Sequence, residues 1–241
     1  AGAVALDTTA LTLSNGTFGG GINGTGTLVK TSGGLLTLSG SNGYDGATSV
    51  NVGTLTLSGT LASTVLGVSS GATMKAQSGS VLPVTTVLTA DGTVNLANGA
   101  VTLQTLLGAG TLALNTTALT LSNGTFSGAI NGTGSLAKTS GGLLTLSGSN
   151  AYIGATNVNV GTLTLSGTLA STAVTVASGA ILNALSGSAL AATTTLTAEG
   201  LVNLFNSGVT LQTLLGAGVV TLDTTALTLS SGTFSGAING T

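Results

Sequence analysis

The sequence predicts an all-β fold, a parallel β-solenoid built from 108-residue tandem repeats. Three observations carry the prediction: one long internal period, short stretches in which apolar and hydroxyl residues alternate, and glycine-bearing turns between them. Thr9–Phe18 recurs unchanged at 117–126, and again at 225–234 with Ser231 in place of the asparagine. Laid over 117–224 without a gap, residues 9–116 are identical at 80 of 108 positions, and 225–241 match 117–133 at 16 of 17. The period divides the chain into the end of a preceding repeat (1–8), a first copy (9–116), a second copy (117–224) and the start of a third (225–241), read as one continuous solenoid without linkers. No atypical capping repeat is visible at either end, so the sequence reads as a segment of a longer array.

Within a copy the strands follow from period-two alternation, apolar in and polar out. Leu11-Thr12-Leu13, Leu36-Thr37-Leu38 and Leu55-Thr56-Leu57 share one pattern at spacings of 25 and 19. Val50-Asn51-Val52, Val94-Asn95-Leu96, Val101-Thr102-Leu103 and Leu112-Ala113-Leu114 share its alternation. The turns between them carry Asn15-Gly16, Gly33-Gly34, Gly40-Ser41-Asn42, Ser70-Gly71, Asp91-Gly92 and Gly108-Ala109-Gly110. Glycine and asparagine supply the backbone conformations that such corners need. The alternative architecture is a string of Ig-like β-sandwich domains, for which the repeat length suits. A sandwich, however, asks for a buried aromatic anchor and a charged solvated face, and this unit has little of either. A coil of about 22 residues stacked at about 4.8 Å gives roughly five coils per copy and a rod of about 50 Å.

Composition excludes much chemistry. The 241 residues include 40 glycines, one proline and no histidine, cysteine or tryptophan, with a formal net charge of −2. Lys30, Lys75 and Lys138 are the cations; Asp7, Asp45, Asp91, Glu199 and Asp223 are the carboxylates. There is no basic stripe for nucleic acid and no thiol or imidazole nucleophile. The usual nitrogen and sulfur metal ligands are missing. Apolar runs are far too short for a helical transmembrane segment. No catalytic residue, cofactor or metal site is expected, and no enzyme activity.

Residues 33–55, with Gly-x-Leu-Thr-Leu, then Gly40-Ser41-Asn42, Tyr44, a Gly46-Ala47-Thr48 corner and Val50-Asn51-Val52-Gly53-Thr54-Leu55, recur at 141–163. This segment resembles the autotransporter-associated β-strand repeat of bacterial passenger domains. The resemblance implies a right-handed β-helix on the extracellular face of a bacterial cell surface, with adhesion or aggregation as the outcome and no catalytic residues.

Tyr44 and Tyr152 are candidates for surface contact, as exposed aromatics that grip a sugar ring. The competing reading is a corner aromatic packed on the neighbouring coil, its hydroxyl bonded to a backbone group. Phe18, Phe126 and Phe234 read as core or corner fillers. Asn15 over Asn42, and Asn51 over Asn95, are candidate amide ladders. The Asn-Gly-Thr triplets starting at Asn15, Asn23, Asn123, Asn131 and Asn239 read as turns rather than glycosylation sites. Asp91 and Glu199 are expected to cap turns, and Lys30 and Lys138 to be solvated lysines at strand edges. Asp45 becomes Ile153, so it belongs to no repeated site. Positions 65–84 diverge most between copies.

Three functions compete on these residues. The leading one is a structural stalk or fibre that self-associates or adheres to a host or matrix surface, because an almost uncharged rod offers little repulsion to its neighbours. The second is an ice-binding or carbohydrate-binding face, for which Thr54/Thr56 and Thr162/Thr164 are the Thr-x-Thr candidates. The third is a carrier stalk for a catalytic domain elsewhere.

Overall fold

Alternating Leu and Thr stretches form strands of two to nine residues, and all regular structure among the described residues is β-strand. The computed structural model describes residues 2–240. Ala1 and Thr241, the outermost residues of the partial copies at 1–8 and 225–241, lie outside the described residues. Each strand pairs in parallel with the strand one coil before and one coil after it. The result is a β-solenoid of about 12 turns. Parallel pairing throughout overturns the Ig-like alternative, which requires antiparallel sheets.

The rod has three faces. The first is followed by one column of partners, Leu11, Leu28, Thr48, Leu66, Leu88, Leu106, Gly124, Leu144, Leu163, Leu182, Val202, Val220 and Ile238. Successive members are 17 to 22 residues apart, so coils are shorter than the 22-residue estimate and a 108-residue span holds more than five. The second face begins with Gly16–Phe18, Leu35–Leu38, Thr54–Leu57 and Thr73–Ala76. The third begins with Val4–Ala5, Ile22–Gly24, Ser41–Tyr44 and Thr60–Leu61. Nine-residue strands such as Ala100–Gly108 and Ala118–Phe126 bend round a corner and serve two faces in succession.

Inward positions of the three faces meet in one continuous core of Leu, Val, Ile and Ala. Each Leu or Val withdrawn from water contributes about 1.5–3 kcal/mol, but a single coil ordered alone costs more in chain entropy than its few inward side chains return. Coils therefore stand only on their neighbours. The Leu-Thr-Leu segments spaced by 19 do stack (Leu36 on Leu55), whereas those spaced by 25 do not: Leu11 lies on the first face and Leu36 on the second. Val52 also departs from expectation. The strand ends at Val50, the chain turns, and Val52 points to solvent at 47% exposure.

The corners are narrow. At Gly128, a Cβ would lie 2.0 Å from the carbonyl oxygen of Gly110 in the coil before and 2.7 Å from the tip of the Phe126 ring. No other residue fits there. Among the described residues three non-glycine corners take the left-handed conformation, at Asp7, Asn115 and Asp223, the residue types that tolerate it best.

Candidate functional site

The most structured polar constellation lies inside the rod, not on it. In the first copy it comprises Lys30, Asn42, Tyr44 and Thr48; in the second, Lys138, Asn150, Tyr152 and Thr156, and all eight are buried. The strand Ser41–Tyr44 turns Asn42 and Tyr44 inward by its alternation. Tyr44 Oη meets Thr48 Oγ1 at 2.7 Å, and Tyr152 Oη meets Thr156 Oγ1 at the same distance. Burial raises both phenol pKa values, Tyr44 to about 12.

These contacts correct the surface-contact candidates. Tyr44 and Tyr152 are 0% exposed and cannot grip a sugar, and each hydroxyl bonds to a threonine side chain rather than to the backbone. Lys30 and Lys138 are not solvated either. Lys30 Nζ donates to the carbonyl oxygens of Ser32 and of Val52, the latter at 3.2 Å; Lys138 repeats this with Ser140 and Val160. Burial pushes both ammonium groups below the usual lysine pKa. Each lysine therefore ties its own turn to the next coil's turn.

Asn42 Nδ2 donates to the carbonyls of Gly40 and Thr60, both at 3.0 Å, and leaves its buried Oδ1 without a partner; Asn150 does the same. The expected ladders of Asn15 on Asn42 and Asn51 on Asn95 do not form, because Asn42 stacks on Leu61 and Asn95 on Lys75 and Ala113. An amide ladder that alternation alone did not single out joins Asn203 Nδ2 to Asn183 Oδ1 at 2.8 Å. Asp91 and Glu199 accept the backbone N–H of Ala109 and Ala217 in the following coil, at 3.1 and 3.3 Å, so each braces a neighbouring turn. Phe126 is fully buried, and Phe18 and Phe234 pack partly against the core.

The outer surface is where contact with anything else must occur. Leu35 leads a stacked column with Thr54, Thr73, Thr93 and Thr111, but the adjoining column runs Thr37, Thr56, Lys75, Asn95, so these columns form no two-column threonine array. In the second copy the equivalent outward column reads Leu143, Thr162, Ile181, Leu201, Val219, an aliphatic stripe on a solvent-facing sheet. A notch of about 140 Å³ lies between Ser49 and Thr89, where Gly67 supplies no side chain. Thr175 fills the equivalent place, so the notch is not repeated. Among the described residues no group of three or more acidic side chains converges.

Comparison with known proteins agrees with this architecture. The family model of the passenger-associated transport repeat matches residues 28–57 and 136–165, which contain both Lys-Asn-Tyr-Thr constellations. A curated relative, an adhesin autotransporter (BmaC) of Brucella suis biovar 1 (strain 1330), is 35% identical over 170 residues, covering 67% of this chain. The chain spans about 4% of that relative's length. No solved structure matches. The chain thus carries autotransporter passenger repeats, each holding one buried constellation, in an extracellular, cell-surface β-solenoid.

Proposed function

We propose that this segment is a stalk that acts by lateral contact, self-associating into bundles and presenting an adhesive surface to a host or matrix. The observation that carries the reading is the outward column Leu143, Thr162, Ile181, Leu201, Val219 on a rod whose formal net charge is −2. Aliphatic side chains on a solvated sheet gain by being covered, and a rod this short of charge has little to repel a second copy. The adhesin relative supports the adhesive half of the reading.

The test exploits the first copy. Its residues at the equivalent positions are Thr73, Thr93 and Thr111, so Ile181→Thr, Leu201→Thr and Val219→Thr place residues the coil already accommodates. Sedimentation of the wild-type segment is expected to show concentration-dependent, salt-insensitive association, and the triple variant to remain monomeric. Wild-type chains that stay single at all concentrations would refute self-association. Retention of the segment on matrix-coated surfaces, measured for both proteins, tests adhesion separately.

A further inference from the structure

Residues 108 apart in sequence do not lie above one another in the rod. Phe18 stands on the second face, paired with Leu38; Phe126 on the first, paired with Leu146; Phe234 on the third, paired with Gly216. The corner glycines move with them. Gly20 leads from the second face to the third, Gly128 from the first to the second, and Gly236 from the third to the first. Local geometry is unchanged, since Asp7, Asn115 and Asp223, also 108 apart, have φ of 52°, 51° and 51°. Only the direction differs.

The cause is a strand count. The column that starts at Leu28 reaches Leu144 and passes by Leu136, the equivalent of Leu28, which instead sits on the third face beside Leu119. Counted face by face along these columns, 17 steps separate Leu28 from Leu136, one fewer than six full turns of three faces. Each 108-residue copy therefore falls one face short of closing.

We propose that successive copies are turned by a third of a turn, so that any patch repeated with the sequence faces three directions in succession and returns to the same side only at every third copy, about 80 Å along the axis at about 4.8 Å per coil. One repeated patch is apolar. Leu35 and Val52, 53% and 47% exposed, lie at the corner between the first and second faces; Leu143 and Val160, 52% and 48% exposed, lie at the corner between the third and first. A flat surface meets one such corner in three. Neighbouring rods of the same chain, which can approach from every side, meet them all, and a second copy of this chain is the partner such a display fits. The choice of partner rests on the self-association proposed above; the geometry does not.

The chain has no cysteine, so paired cysteines can carry nitroxide labels at chosen sites. Thr17 and Asn131 share the second face, and Thr17 and Thr125 do not. The labels at 17 and 131 are expected about 29 Å apart, six coils at about 4.8 Å. Those at 17 and 125 are expected farther apart, although Thr125 is nearer along the axis. A 17-to-125 separation equal to or shorter than the 17-to-131 separation overturns the display.

In parallel, Leu35→Ser, Val52→Ser, Leu143→Ser and Val160→Ser together are expected to raise the concentration needed for association about tenfold. Unchanged association would remove these corners as the contact. Wild-type chains that never associate would refute the partner while the label distances still decide the display.

Discussion

A methyl group at Gly128 has no space to occupy, a constraint it shares with other corner glycines set against a carbonyl of the coil before, such as Gly40 and Gly148. Gly128→Ala is expected to cost on the order of 1–3 kcal/mol or more, read as a lowered denaturation midpoint. Gly67→Ala is expected to be near neutral, since nothing lies within 4 Å of a Cβ there and the second copy already carries Thr175. The lysines separate by burial: an amine-reactive reagent at neutral pH is expected to modify exposed Lys75 and to spare Lys30 and Lys138 until the chain unfolds, as mass spectrometry would show. The tyrosines set the alkaline limit. Their raised pKa values contribute stability that is fully present below about pH 10, where the unfolded phenol is still protonated. It is lost as pH rises toward about 12, because the unfolded chain ionises before Tyr44 can. The lowered lysine pKa values act in the opposite sense, relieving a folded-state cost as pH approaches 10.5. Phenolate absorbance should therefore appear together with unfolding, and Tyr44→Phe with Tyr152→Phe should remove the alkaline loss.

At the scale of the element the unit is the coil, not the strand. Excising 163–181, the stretch between stacked Leu163 and Leu182, is expected to leave a folded solenoid one turn shorter, with circular dichroism per residue unchanged. Removing only 168–175 deletes part of a turn, throws later columns out of register and should abolish cooperative melting. The same distinction explains what the sequence made legible. Alternation identified inward Leu and Val correctly because burial in a strand depends on immediate neighbours. It misplaced Val52, because nothing local says that the strand ends at Val50. It misread Lys30 because its partner, the Val52 carbonyl, is 22 residues on and comes into reach only once the coil has closed, whereas Tyr44 turns inward with the alternation of its strand and bonds Thr48 four residues on. The amide ladder was legible as a type but not as a position, since coil lengths of 17 to 22 residues hide which asparagines stack.

At the scale of the whole molecule, uniform low charge and a continuous core make a rod whose sides are the surface offered for contact. The sides expose mostly Thr, Ser and small residues, with aliphatic stripes at defined columns. Side-by-side association should therefore be insensitive to salt, because few charges are available to be screened. A sedimentation series from low to high ionic strength checks this, and strong salt dependence would assign the contact to the few charged side chains instead.

The parallel column gives the molecule a direction of growth. Hydrogen bonds between coils join residues about 17 to 23 apart in sequence, so each coil needs its immediate neighbours and nothing more distant. A chain delivered through a narrow opening one stretch at a time could thus order itself as it emerged, each finished turn serving as the template for the next. Its folding would advance like a ratchet, with every completed turn opposing return of the chain. Stepwise gain of protease resistance during segment-by-segment release, in increments of about one coil, is the signature to seek.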